Sequence, residues 1–444
     1  METMPQRIDE LKQRVEDLLA EARRQGADAA EAGVGLDAGL AVTVRLGEVE
    51  TVEHTRDQGL GITVYIGGRK GSASTSDLSP QALRDTAGKA CAIARHMQPD
   101  PCNGLPDPER LARVIPDLDL HHPWGIDAEG AIEIARACEQ AGRDLDPRIV
   151  NSEGASLNTN AGVKVCGNSA GFLAGYPSTR HGLSCALVGR QGGEMQRDYW
   201  WTSARAPEDL EAPEAVGMHA AERAVNRLGA RKLDTRECPV LFQADVATSL
   251  MRAFAGAISG GNLYRQASFL LDRLGKDLFP RFVRIHEDPL RLRGAASAPF
   301  DAEGVATLPK DFVSEGVLVS YALDTYAACR LHLETTGNAG GVRNLVMEPT
   351  GEDREALLRR LDTGLLVTEM MGQGANLVTG DYSRGASGFW VEGGVIQYPV
   401  QEITIAGNLR EMFAGLRAVG TDLDRRGGMH TGSWLIERMM VAGE

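Results

Sequence analysis

Apolar residues at Ile8, Leu11, Val15, Leu18 and Ala22 recur at helical spacing and predict an amphipathic helix at the start of the chain. Two alternating segments, AVTVRLG and LGITVYIGG, follow as strands joined by polar turns. Ser79-Pro80 supplies a capping hydroxyl and a proline at a first helical position, and Leu83, Ala87, Ala90, Cys91 and Ala94 continue that helix on one face. Prolines interrupt every period between Gln98 and Pro123, which reads as a connection. Beyond it, Ile134, Ala137, Cys138 and Ala141 mark a helix, and three or four strands lie between Ile149 and Ala204. Another helix carries Ala221, Ala224, Val225 and Leu228, with Gly229 placed to stop it.

From Cys238 onward the chain is glycine-rich and mostly strand-like. Phe389 to Glu392 and Val395 to Val400 are β-prone runs around Gly393-Gly394, the pair a tight hairpin needs where φ is positive. Pro399 cannot donate a ladder bond, so that strand ends or lies at an edge there before Ile403 and Ile405 resume the alternation. Asn408 caps a short helix whose Leu409, Met412, Phe413 and Leu416 face a core. Strands and helices come in blocks, which predicts an α+β fold. The expected organisation is an N-terminal α/β-type domain with helices on a mixed sheet and a C-terminal, largely antiparallel β domain. The divisions are 1–97, a connection 98–123, a second α+β segment 124–233, and 234–444.

Composition narrows the function. The formal charge is −14, from 47 basic and 61 acidic side chains, and the basic residues are interleaved with acids, which disfavours direct binding of nucleic acid. No run of 18 apolar residues spans a bilayer and the N-terminus is charged and helical, so a cytoplasmic protein is expected. Seven scattered cysteines contain no C-x-x-C pair, and neither a disulfide framework nor a cysteine zinc site is expected. Cys91 and Cys138, on small-residue helix faces, read as buried, inert thiols.

Four strings carry a family resemblance: TGDYSRGASGFWVEGGVIQYPVQEITIAGNL from Thr379 to Leu409, RDYWWTSAR from Arg197 to Arg205, TTGNAGG from Thr335 to Gly341, and GSWLIERMMVAG near the end. Together they resemble the TldE/PmbA branch of the TldD/PmbA proteins, once described as modulators of DNA gyrase and understood as components of a cytoplasmic zinc protease. In TldD-type relatives the metal motif His-Glu-x-x-x-His follows a short apolar strand. The matching place here, after Pro239 to Phe242, reads Gln243, Ala244, Asp245, Val246, Ala247, Thr248, so both ligand positions and the glutamate are replaced. The TldD-type zinc also takes a cysteine near the C-terminus, and none follows Cys329 here. The helix after Gln243 is expected to pack Ala247, Met251, Phe254 and Ile258 into a core.

Other candidate chemistry is sparse. His286-Glu287 begins a His-Glu-x-x-His pattern that lacks its second histidine. Gly167 to Gly171 matches G-x-S-x-G around Ser169, but FLAGYPST follows where a nucleophile elbow requires a helix. His121-His122 are adjacent and cannot share a face, and His219 lies in a helical pattern as a surface or satisfied histidine. Gly260-Gly261 and Thr335 to Gly341 lack a Walker lysine, while Gly88-Lys89 and Gly275-Lys276 lack the following Ser/Thr. Tyr199, Trp200 and Trp201 read as cross-strand packing. The C-terminal run Trp434, Leu435, Ile436, Met439 and Met440 reads as core.

The resemblance implies a TldE/PmbA-type subunit without catalytic or metal residues or a cofactor of its own, shaping a substrate chamber while a TldD-type partner carries zinc. Unfolded or small peptides are the implied substrates, and a homodimer is a further assembly. Two alternatives stay open: a self-sufficient peptidase built from distant residues such as His332 and His430, and a regulatory binding protein acting on a topoisomerase.

Overall fold

The computed structural model describes residues 4–443. Its first half is one long antiparallel sheet with four helices on a single face. The strands are β1 (Ala29–Arg45), β2 (Glu48–Ile66), β3 (Arg69–Thr75), β4 (Ile149–Asn168), β5 (Leu173–Gln191) and β6 (Glu194–Ala204), in the order β3-β2-β1-β4-β5-β6. Every neighbouring pair is antiparallel, so the sheet expected to be mixed is not. Along β1, Ala30, Ala32, Val34, Leu40, Val42 and Val44 are all buried, and their even spacing puts them on one face.

Helices α1 (Met4–Arg24) and α2 (Pro80–His96) cover one end of that face. Ser79 caps α2, its Oγ accepting from Ala82 N at 3.3 Å, and Leu83, Ala87, Ala90, Cys91 and Ala94 are buried as expected. Helices α3 (Ala128–Leu145) and α4 (Pro213–Asn226) cover the other end. The inner face of α3 is Ala131, Ala135, Cys138 and Gly142, rotated from the expected set; Ile134 and Ala137 are half-buried. The cause is the helix crossing. A Cβ on Gly217 of α4 would stand 1.9 Å from Cys138 O, so only small residues fit between the two backbones.

The second half runs β7 (Arg236–Phe242), α5 (Ala244–Ala257), α6 (Gly260–Tyr264), β8 (Ile285–Glu287), β9 (Lys310–Ser314), β10 (Val317–Leu318) and α7 (Thr325–Arg330). It continues with β11 (Leu345–Met347), α8 (Arg354–Leu361), β12 (Gly364–Met371), β13 (Asp381–Glu392) and β14 (Val395–Asn408). The last elements are α9 (Leu409–Ala414), β15 (Leu416–Val419), β16 (Met429–His430) and β17 (Trp434–Ala442). A small sheet orders β10-β9-β8-β11-β16, and the main sheet orders β14-β13-β12-β7-β17-β15. Strand β14 also pairs with β17 through Thr404 to Ala406, which closes the main sheet into a ring. Pairing is antiparallel except at β12–β7 and β11–β16.

The β13–β14 hairpin turns at Gly393 and Gly394, with φ of 58° and 74°. Near Pro399, β14 pairs with β13 on one side and with the single residue Arg231 on the other, where Arg231 N donates to Pro399 O at 2.9 Å and no proline N–H is needed; β14 then shifts register, with Glu402 at φ 54°, before Ile403 and Ile405 are buried. Asn408 caps α9 through Arg410 N. One core holds this half together, and Phe279, Phe413 and Trp434 pack within it at ring centroid distances of 4.7 to 6.4 Å. Trp434, Leu435, Ile436 and Met439 are buried as expected, whereas Met440 is exposed.

The thiols divide in two. Cys91, Cys138, Cys166, Cys185 and Cys238 are free and buried, but Cys102 and Cys329 form a disulfide, contrary to the expectation from sequence. The two lie 227 residues apart, and no sequence spacing records that the connection folds back onto α7. Tyr326 OH donates to Asp100 Oδ2 at 2.8 Å beside the bridge. No described helix is long and apolar enough to cross a membrane.

Candidate functional site: an arginine and tryptophan cleft

Strand β7 delivers the chain to Gln243 at the start of α5, where β6, β12, β13 and the segment 424–429 converge. They enclose a cleft of about 270 Å3. Gln243 Nε2 donates to Asp245 Oδ1 at 3.1 Å, Thr248 Oγ1 donates to Asp245 O at 2.6 Å, and Ala244 offers no donor atom. Asp245 Oδ2 in turn accepts from Arg223 Nη1 at 3.2 Å. Zinc sites need imidazole, thiolate or carboxylate groups converging on the metal. An amide, a methyl and a hydroxyl turned to the backbone do not fit it, and the one carboxylate is paired to arginine. Among the described residues no group of three or more His, Cys, Asp or Glu is placed to hold a metal ion. As expected, Ala247, Met251 and Phe254 of α5 and Ile258 directly after it are completely buried.

The cleft is instead organised by ion pairs and indole rings. Arg223, on α4, also contacts Asp198 Oδ1 at 3.0 Å and donates to Thr368 O at 3.1 Å. One turn later Arg227 joins Asp198 Oδ2 at 3.3 Å to Glu369 Oε2 at 2.6 Å. These pairs run from β6 of the first sheet to β12 of the ring, and they bind the two halves across the cleft. Arg426 lies 4.1 Å from the Trp200 ring centroid and 4.5 Å from that of Trp201, within cation–π reach of both. Its fork meets Asp424 at 2.8 and 3.1 Å, and Nη1 donates to Trp201 O at 3.0 Å. Burial alone would raise the Asp424 carboxyl, but the bonds and charge of Arg426 outweigh it and hold the group below the usual range. Tyr199 lines the cleft too, and Trp200 also packs against the core of the first half, so the packing expected from sequence and the cleft wall share that ring.

The other sequence candidates are dispersed. Ser169 sits in the β4–β5 turn, where Oγ accepts from Ala30 N at 3.0 Å, and a strand follows it. Glu287 is buried against Lys310 Nζ at 2.7 Å and Asn338, while His286 Nδ1 lies 3.8 Å from Glu348. His430 is buried, with Nε2 donating to Gly427 O at 2.8 Å, and His332 is exposed after α7. His122 contacts Asp119 at 3.0 Å, whereas His121 Nε2 has no partner. His219 packs edge-on against Trp200 with Glu211 at 3.6 Å.

Sequence reasoning passed over Asp198, Arg223, Arg227 and Arg426. One signal was present: Arg223 and Arg227 are like charges four residues apart on a helix, which repel unless acids from elsewhere meet them.

Three family descriptions match the chain: the PmbA/TldA metallopeptidase domain 1 over residues 31–94, the central domain over 121–228 and the C-terminal domain over 235–443. The Metalloprotease PmbA of Escherichia coli is 50% identical over 417 residues, covering 94% of this chain and 93% of that protein. The chain belongs to the PmbA/TldD family. A Metalloprotease PmbA homolog of Haemophilus influenzae is 49% identical, covering 98% and 96%. Among solved members, a Bacteroides thetaiotaomicron protein described as a modulator of DNA gyrase superposes with a TM-score of 0.93 at 26% identity over 98% of this chain and 99% of its own. TldE of Thermococcus kodakarensis has the same fold, with a TM-score of 0.84 at 20% identity, covering 97% and 100%. The α+β class expected from sequence is thus that of the PmbA/TldD family.

Proposed function

We propose that this chain is the TldE/PmbA-type subunit of a cytoplasmic two-component zinc peptidase. It holds no catalytic zinc and walls the chamber in which a TldD-type partner cleaves unfolded or small peptides. The observation that carries the reading is the start of α5. At the place matching the family's metal motif, Thr248 lines a cleft built from arginine pairs and indoles, and Gln243 and Ala244 line a neighbouring pocket that shares Trp200, Asp245, Asp424 and Arg426 with it. Such a wall can grip a peptide by charge and stacking, and its carboxylates, Asp245, Glu369 and Asp424, are each engaged by an arginine rather than poised over a metal-bound water.

The chain purified alone is expected to carry no stoichiometric zinc and to leave an unfolded peptide intact. Mixed with a TldD-type partner, it is expected to give a 1:1 complex that cleaves the peptide at least tenfold faster than either chain, with activity lost to a chelator. One tightly bound zinc per chain, or a partner equally active alone, overturns the reading.

A further inference from the structure

Among the described residues, five buried side-chain polar atoms lack a hydrogen-bond partner, and three of them gather at one wall of the cleft. Ser249 and Arg384 line it, with Ser249 Oγ and Arg384 Nε unpaired. Tyr382, only 3% exposed, stands against both; its OH interacts with Ser249 and Arg384 but makes no well-formed hydrogen bond to either. Buried polar groups are nearly always satisfied in native proteins, and these three, which meet only one another and without well-formed bonds, keep donor capacity at the cleft wall for atoms from outside the chain. Burial pushes the Tyr382 phenol up to about 12, which keeps it a neutral donor at physiological pH.

Charge points the same way. The cleft contains Asp245, Glu369 and Asp424, and each is already held by an arginine: Arg223, Arg227 and Arg426 respectively. Two further guanidiniums, Arg252 and Arg384, line the cleft, and among the described residues no ion pair engages either of them. Arg252 is three residues after Ser249 on α5, so the two share a helix face. With Asp198 counted, five arginines meet four acids, so this wall carries one net positive charge in a chain of net charge −14, whose overall field repels anions. A local excess against that field is a specific feature of the cleft. Its 270 Å3 falls below the range of about 300–1,000 Å3 usual for whole small-molecule ligands and suits a chain end or one side chain.

We infer that this cleft binds a carboxylate of an extended peptide, its C-terminus or an acidic side chain, between Arg384 and Arg252, with Ser249 as a further donor. Guanidinium forks match carboxylates in geometry as well as charge. Trp200 and Trp201, already stacked on Arg426, supply apolar surface for the flanking residues. This inference rests on the chain being the wall of a peptide chamber, and it assigns that wall a polarity: it prefers peptides that bring a negative group.

The test uses the full chain and three otherwise identical unstructured decapeptides: one with a free C-terminus and no acidic residue, one amidated with a single Glu, and one amidated with Gln in its place. Binding is read by calorimetry and by tryptophan fluorescence, to which Trp200 and Trp201 contribute. One or both carboxylate peptides are expected to bind at least tenfold more tightly than the amidated Gln peptide, and which one does so identifies the source of the carboxylate. Arg384→Gln and Arg252→Gln are each expected to weaken that binding about tenfold, with melting temperatures checked for every variant. The peptide series tests the idea without altering the protein. Equal binding of all three peptides, or no binding of any at millimolar concentration, overturns the carboxylate site. Cleavage of the amidated Gln peptide by the mixed complex judges the chamber reading separately. Stimulation that persists without carboxylate preference removes only this inference, and absent stimulation removes the chamber.

Discussion

Glu303 shows how one side chain carries a pH dependence into the fold. Its Oε2 accepts from Thr325 N at 3.0 Å and from Thr325 Oγ1 at 2.5 Å, with Asp301 and Asp324 nearby. Burial raises its pKa from 4.5 to about 7, and the Thr325 bonds only partly offset that. In the unfolded chain the group ionises near its ordinary value, so from about pH 4.5 to 7 the folded state holds a proton that the unfolded state has released. Its contribution to stability is therefore full below pH 4.5 and is lost as pH rises through 7, by on the order of 3 kcal/mol. Glu303→Gln is expected to be more stable than the parent at pH 8 and to flatten the difference between pH 5 and pH 8. Thermal denaturation at both values checks this, and an unchanged slope would exclude Glu303 as its source. At this scale the sequence was legible where bonding is local. Ser79 and Asn408 cap helices as their spacing predicts, because a cap reaches only two or three residues along the chain. It was not legible for Glu287, whose partners Lys310, Asn338 and Arg343 lie 23 to 56 residues away.

Among elements, α3 and α4 cross with their backbones in close contact. Gly142 and Gly217 remove the side chains that would hold the backbones apart, and a Cβ on Gly142 would meet Gly217 O at 2.5 Å. Gly217→Ala is expected to destabilise the fold by about 1–3 kcal/mol through forced separation of the helices. Gly59→Ala, in open space on β2, is expected to stay within about 0.5 kcal/mol. Urea midpoints of the two variants make the comparison, and equal values would show that the crossing yields freely. Periodicity found α1, α2, α5, the hairpin at Gly393-Gly394 and the buried terminal strand. It misplaced the inner face of α3, because a stripe is normally read from large apolar residues and this one is made of small ones. Sheet order was out of reach for another reason. Strand β1 pairs with β4 more than a hundred residues later, and that register is fixed by packing on shared helices rather than by any local signal.

For the molecule as a whole, the disulfide is the largest departure from the sequence reading. Cys102 and Cys329 pin the connection after α2 to the second half, beside the Asp100–Tyr326 bond and an ion pair between Arg110 and Glu334. Closing so long a loop restricts the unfolded chain, and Cys102→Ser is expected to cost about 2–5 kcal/mol under non-reducing conditions. The parent protein treated with a reductant should match the variant, while the variant itself should not respond. A parent indifferent to reductant in denaturant titrations would show that the bridge adds nothing. The candidate site was partly legible at this scale. The sequence marked Gln243, Ala244 and Thr248 as positions without metal ligands and noted the aromatics of β6. That Thr248 and these aromatics meet in one cleft depends on Asp198, Arg223, Arg227 and Glu369, which link separate sheets and carry no motif.

The ring in the second half sets a schedule for biosynthesis. Strand β7 is its first member to leave the ribosome, yet one flank waits for β12 and the other for β17, at Trp434–Ala442. With roughly 200 residues still to be made at about 5–20 per second, β7 stays without a partner on that flank for about 10–40 s. The first sheet has all six strands by Ala204 and meets no such delay. A nascent chain of this protein therefore presents a finished first half and an open, apolar β7 together, and that interval is when a chaperone has something to hold.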